Sequence, residues 1–280
     1  MENVLRALIY DEQVSLTVAD TTEIVRKAIA LHALSRPSAV ILGKFLSAGV
    51  LMCAGLKEER GELSVTFQSD GEGRSVSVSG NRALRIRGYV ENAACETDEP
   101  SALGQNGAFT VVRDDGYNRP FVGTCGLSGE TSVDALVETY YAVSEQLPTY
   151  VALSVEFDGD DLVFAGAIAL QPLPFTDEKT KAELPKGTAL SAILQKVRAQ
   201  GIENVAKTEF SAKSDGITKR NAAYQCNCSR EYLAKVLSSL GEKQMREIIE
   251  QDGAVRVHCH YCNTDYAFDG KDADEIFKKE

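Results

Sequence analysis

The sequence predicts an α+β protein: a sheet-rich N-terminal domain packed on helices, a helical linker and a small C-terminal domain clipped by cysteines. Three observations carry that expectation. Apolar and polar residues alternate in short runs between residues 4 and 170, with Gly- and Asp-rich turns between the runs. One long apolar stretch, Ser38 to Leu56, interrupts them with the small-residue spacing of a tightly packed helix. At Pro172 the composition turns polar and charged, and four of the seven cysteines stand in two close pairs near the end. The boundaries that follow are 1–172 for the core, 173–221 for a flexible, partly helical linker and 222–280 for the C-terminal domain.

In chain order, Val4 to Tyr10 and Val14 to Val18 flank Asp11-Glu-Gln13 as a hairpin. Asp20 and Glu23 resemble a capping box, followed by Ile24, Val25, Ala28, Ile29, His32 and Ala33 at helical spacing. Pro37 opens the apolar stretch where its missing N–H does no harm. That stretch has the length of a membrane span, but Lys44 lies inside it and Gly43, Ser47, Gly49 and Gly55 dilute it. It reads as a buried core helix. Leu63 to Phe67 and Val76 to Val78 form a second hairpin around Asp70-Gly-Glu-Gly73. A phosphate cradle would need a helix after those glycines, and a strand follows instead.

Ala83 to Val90, Phe109 to Val112, Pro120 to Val122, Tyr150 to Phe157 and Leu162 to Leu170 read as further strands. Ser132 to Val143 reads as a helix. In the linker, Leu190, Ile193, Leu194 and Val197 predict one amphipathic helix, and the remainder looks too poor in apolar residues to be stable alone. Two helices, Ser229 to about Leu240 and Glu242 to Ile249, fill the C-terminal domain.

The chemistry concentrates in Cys226-Asn-Cys228, thirty residues, then Cys259-His-Tyr-Cys262. Two short chelating clips brought together by the fold supply four thiolates, the donor set of a closed tetrahedral Zn²⁺ site. Buried or disulfide-bonded cysteines are the plainer alternative for the same four residues. His258 and His260 flank Cys259 and are alternative ligands, or tune the thiolates, or face solvent. A domain of about 60 residues has too small a core for comfortable stability. Structural zinc contributes roughly 10–16 kcal/mol in metal-folded peptides, so metal removal should unfold it. Zinc thiolates remain oxidisable. A weakly stable linker beside such a site points to a redox trigger wired to local unfolding.

Other functions find little support. A net charge of −11, with eight Lys/Arg against eleven Asp/Glu in residues 222–280, opposes nucleic-acid binding. With His32 as the only histidine outside the clips, no Ser/His/Asp triad is evident; Gly126-Leu-Ser-Gly129 is one residue short of a nucleophile elbow. The chain is expected not to be an enzyme. No secretory signal pattern stands at Met1-Glu-Asn-Val-Leu-Arg6, and seven cysteines cannot all pair, so a reducing cytoplasm is expected. A zinc ribbon for protein or nucleic-acid contacts on an unrelated α+β domain is the alternative. A thiol oxidoreductase is third, since Cys259–Cys262 precedes a short tail rather than opening a helix after a strand.

Four stretches resemble the 33 kDa heat-shock protein family of redox-regulated holdase chaperones. They are Cys226-Asn-Cys228-Ser-Arg-Glu231, Asp252-Gly-Ala-Val-Arg-Val-His-Cys259-His-Tyr-Cys262, Tyr140-Tyr-Ala-Val-Ser-Glu-Gln-Leu-Pro-Thr149, and Gly88-Tyr-Val90 with the arginines before it. The resemblance implies one zinc held by Cys226, Cys228, Cys259 and Cys262 while the chaperone is reduced and inactive. It implies that oxidants form Cys226–Cys228 and Cys259–Cys262 disulfides, that zinc leaves, and that the C-terminal region unfolds and the linker loosens. Unfolded clients would then be bound without ATP under oxidative stress, by a homodimer, and later passed to ATP-dependent foldases. Cys53, Cys95 and Cys125 lie outside that switch, and the helix 189–198 with nearby apolar strands is a candidate client surface.

Overall fold

The computed structural model describes residues 2–127 and 129–278; Met1, Lys279, Glu280 and the Ser128 of the Gly-Leu-Ser-Gly stretch lie outside. Two compact units divide at the first clip, Met1–Gln225 and Cys226–Glu280.

The first unit opens with β1 (Val4–Ile9), β2 (Val14–Asp20), α1 (Thr22–His32) and α2 (Arg36–Ala54). It continues with β3 (Glu62–Ser69), β4 (Ser75–Asn81), β5 (Arg85–Val90), α3 (Glu99–Leu103), β6 (Gly107–Asp114) and β7 (Phe121–Gly126). Then come α4 (Val133–Tyr140), β8 (Tyr150–Asp158), β9 (Asp161–Pro172), α5 (Glu178–Glu183), α6 (Thr188–Gln200) and α7 (Ile202–Phe210). Two short strands, β10 (Thr218–Arg220) and β11 (Ala223–Tyr224), close it. The strands form a five-stranded sheet, β10-β1-β2-β9-β8, and a six-stranded sheet, β11-β5-β4-β3-β6-β7.

Helix α2 lies between the two sheets, against β8 and β9 on one side and β3, β4 and β5 on the other. It is long and apolar enough to cross a membrane, yet 83% of its most apolar stretch is buried within the fold. Its small residues make the approach possible. A Cβ on Gly43 would stand 2.8 Å from Val155, and one on Gly49 2.8 Å from Val78. Phe45 stacks on Phe67 at 5.4 Å and on Phe109 at 6.1 Å across the six-stranded sheet. Lys44 is accommodated by Glu99 and Asp134, each 2.8 Å from its Nζ. Burial pulls the Lys44 ammonium down, and the two carboxylates outweigh it and hold it above the ordinary value. Arg6 donates to the Ala54 carbonyl at the C-terminal end of α2, where a cation suits the helix dipole.

The sheets differ as their sequences do. On β4 buried Val76 and Val78 alternate with half-buried serines, so only one face of this sheet meets the core. On β9 burial is nearly continuous, because both faces are covered. Helices α6 and α7 supply the second cover: Leu190, Leu194, Val197, Ile202, Val205 and Phe210 pack on Leu5, Leu16, Val18 and Ile168. The segment expected to be a loose linker is therefore folded into the first unit, with more apolar anchors than one helix. Its last strand, β10, pairs antiparallel with β1, and β11, at the start of the stretch expected to belong to the C-terminal domain, pairs parallel with β5, so the first unit runs on to Gln225. Helix α1 also departs from expectation: its cap position is Thr21, without a side-chain cap bond, while Asp20 accepts from the Thr22 amide and hydroxyl.

The second unit contains α8 (Arg230–Ser238), α9 (Glu242–Asp252), the antiparallel hairpin β12 (Val255–Cys259) and β13 (Thr264–Phe268), and α10 (Gly270–Phe277). Ser229 caps α8, and Asp269 with Asp272 forms a capping box on α10. Its core is small: Leu237, Met245, Val255, Phe268 and Ala273 are buried, with half-buried Leu233, Ile248, Ile249, Val257 and Tyr266 around them.

Candidate metal centre

The two cysteine clips are presented by different kinds of backbone. Cys226 and Cys228 sit in an irregular stretch directly before Ser229, the N-cap of α8. Cys259 ends β12, and Cys262 lies in the turn that leads into β13, where Asn263 takes the left-handed conformation at φ +51°. A hairpin turn folds the C-x-x-C clip back on itself, and the helix cap fixes the C-x-C clip opposite it.

All four Sγ atoms lie within 4.8 Å of one another. Cys226 and Cys259 are 3.8 Å apart, and Cys228 and Cys262 are 3.6 Å apart. Four sulfurs at the Zn–S distance of about 2.3 Å from a tetrahedral centre would be separated by about 3.8 Å. The spacing fits that edge, and it is far longer than the S–S bond of about 2.05 Å in a disulfide. Four cysteines so arranged can hold a metal ion. Soft thiolates in this number suit Zn²⁺.

The electrostatics agree with that fit. Burial pushes the Cys226 thiol up to about 12, and the neighbouring Cys259 adds to the rise. Cys228 is also raised, by burial first. Burial opposes ionisation of Cys259 too, but the N–H groups of Cys262 and Tyr261 and the adjacent thiols outweigh it and draw it below the ordinary value. Four thiolates this close repel, and a divalent cation among them reverses the balance. The chain meets part of the cost itself: the Cys228 amide turns toward Cys226 as the Tyr261 and Cys262 amides turn toward Cys259.

The remaining expected participants stand apart. His258 binds Asp265 through Nδ1 at 2.8 Å and packs against His260 at 4.9 Å, and the four-ligand group contains neither histidine. Cys53, Cys95 and Cys125 are all buried in the first unit. Burial raises Cys53 to about 12 and Cys125 to about 11, which keeps them protonated. His32 reaches the Tyr224 hydroxyl at 3.2 Å. One neighbour was not singled out by sequence reasoning: the Tyr266 hydroxyl lies 3.1 Å from Cys228 Sγ. Its only signal was an aromatic four residues after Cys262, which spacing alone does not aim at the other clip.

Comparison with known proteins decides the family. A family model described as Hsp33 protein matches residues 2–269. The chain belongs to the Hsp33 family. The 33 kDa chaperonin of Clostridium novyi (strain NT) is 30% identical over 292 aligned positions, covering 99% of this chain and 98% of the relative. That of Ruminiclostridium cellulolyticum is 32% identical over 273 positions, covering 93% and 92%. The crystal structure of the 33 kDa chaperonin (heat shock protein 33 homolog) from Thermotoga maritima superposes with a TM-score of 0.83 at 27% identity, covering 99% of this chain and 98% of the other. Membership in the Hsp33 family supports a chaperone function, and with it the binding of client proteins.

Proposed function

We propose that this chain is a redox-regulated, ATP-independent holdase, inactive while reduced and switched on by oxidation of Cys226, Cys228, Cys259 and Cys262. The convergence of those four sulfurs within 4.8 Å is the observation that carries the reading. Bound by the four thiolates, one Zn²⁺ would cross-link the clips and supply the stability that a five-residue core lacks. Oxidation withdraws the ligands. In each clip two thiolates become one disulfide and lose two electrons, and a two-electron oxidant such as a peroxide takes them. The pairs are Cys226 with Cys228 and Cys259 with Cys262.

The working division is a chaperone core (1–172), a releasable segment (173–221) and a switch domain (222–280). What the segment covers gives the release its consequence. Helices α6 and α7 lie on apolar positions of β1, β2 and β9. Lifting them would uncover Leu5, Leu16, Val18 and Ile168 as a surface for unfolded polypeptides. Clients would be held by a homodimer in the cytoplasm and later passed to ATP-dependent foldases, with no part played by nucleic acid, membrane or catalysis.

The test combines three measurements on the reduced, metal-loaded chain. Peroxide or hypochlorite at elevated temperature should cause thiol loss, zinc release and suppression of client aggregation together. Equal chaperone activity in reduced and oxidised protein, or a purified reduced protein without stoichiometric zinc, would sink the reading.

A further inference from the structure

Resting on that reading of the four thiols, we propose that Tyr266 is a positioning residue that restrains oxidation at Cys228. Tyr266 sits on β13 opposite Val257, its ring half-buried against the small core. Its hydroxyl is 3.1 Å from Cys228 Sγ, so the contact runs from the hairpin of one clip to the sulfur of the other. A ligand thiolate carries no proton. The phenol O–H is therefore the donor and the sulfur the acceptor.

That bond opposes the chemistry of the switch. The Cys228 thiolate attacks one oxygen of hydrogen peroxide, the O–O bond breaks, hydroxide leaves and a sulfenic acid remains. A neighbouring thiolate of the cluster then attacks that sulfur, forming the S–S bond and releasing a second hydroxide. Two thiolates have lost two electrons, and the peroxide has gained them as two hydroxide ions. In the first step sulfur gives up the electron density that accepts the Tyr266 hydrogen bond. The bond is stronger before attack than during it, so it adds to the barrier. Cys226 and Cys259 receive backbone amides, which a change of side chain other than to proline leaves in place. Tyr266 is a side-chain donor to the cluster, and its effect can be varied.

The experiment uses the full chain, zinc-loaded and separately cobalt-substituted, with wild type, Tyr266→Phe and 3-fluorotyrosine placed at position 266. Site-resolved alkylation after timed peroxide exposure reports each thiol, and a chromogenic chelator reports zinc. Tyr266→Phe should oxidise at Cys228 roughly tenfold faster, with less change at Cys259; tenfold corresponds to about 1.4 kcal/mol, within the range of a hydrogen bond to a charged group. Its thiolate-to-cobalt charge-transfer band should move to lower energy. The more acidic 3-fluorotyrosine should slow Cys228, and this arm decides by itself where Tyr266→Phe does not fold. An unchanged Cys228 time course with an unchanged cobalt spectrum overturns the proposal. So does equal acceleration of all four thiols with a lowered unfolding temperature, which would leave Tyr266 a core residue only. A wild-type chain without the thiolate–cobalt band overturns the metal reading itself, and this inference with it.

Discussion

The unit Met1–Gln225 holds Phe45, Phe67, Phe109 and Tyr140 fully buried between two sheets and has a second core under α6 and α7. The unit Cys226–Glu280 has two helices, a hairpin and a third helix around Leu237, Met245, Val255, Phe268 and Ala273. The first can be stable by burial alone. The second falls in the size range where small domains need disulfides, metal or a partner. The difference teaches where a switch can be placed. A fold that rests on burial yields gradually to mutation, whereas one that rests on four sulfurs yields at once when their chemistry changes.

The largest expected effect breaks the comparison at its root. Chelating the metal, or replacing Cys259 by Ser, should cost the second unit on the order of 10 kcal/mol and abolish its amide protection. Amides of α2, β2 and β9 should stay protected. Hydrogen exchange read by mass spectrometry checks this, and loss of protection in both units together would contradict it.

Smaller deletions sharpen the contrast. Phe45→Ala should destabilise the first unit by about 4 kcal/mol, seen as a lower unfolding temperature with unchanged zinc affinity. Met245→Ala, from a fully buried site in the second unit, should cost about 3 kcal/mol. Because folding there is coupled to metal binding, it should appear as a zinc affinity lowered on the order of a hundredfold. Competition titration with a chromogenic chelator separates the two outcomes. Lys44→Met comes next. It leaves Glu99 and Asp134 facing each other without their cation, at 16% and 20% side-chain exposure. Partial solvation reduces the penalty for a broken buried pair to about 2 kcal/mol, measurable by denaturant unfolding of the first unit.

The sequence revealed these two modes of stabilisation unequally. Hairpin β3–β4 was legible because Leu63, Val65 and Phe67 alternate with polar residues on a sheet with one buried face, and β1–β2 because Asp11-Glu-Gln13 parts two apolar runs. Helix α2 was legible from its glycines and its apolar length. The clips were legible because ligand spacing is local. Helix α7 was not: Gly201 separates it from α6, and nine residues carry too few turns for its period to show. Strands β10 and β11 have three and two residues, and their partners lie more than 130 positions away. Pairings of that kind follow from tertiary structure and leave no alternation to read. The same holds for Tyr266, whose partner belongs to a different clip.

The smallest prediction concerns the stitching of the polar segment to the first unit. Glu203 on α7 binds Lys207 at 2.7 Å on its own helix and also reaches Lys219 on β10. Hydrogen bonds from Lys207 first, and then Lys219, lower its carboxyl from 4.5 to about 2. A depressed carboxylate stabilises the fold above its unfolded value and loses that contribution as pH falls through the folded one. The tie between α7 and β10 is therefore intact above about pH 4.5 and fades toward pH 2. The group is solvent-exposed, so the gain is small and sensitive to salt. Glu203→Gln should speed amide exchange in Thr218–Arg220 at neutral pH by a small factor, leave α2 unaffected, and flatten the acid dependence of that exchange. An acid dependence that persists in the variant would assign it to another carboxylate, and the tie between α7 and β10 would then rest on packing alone.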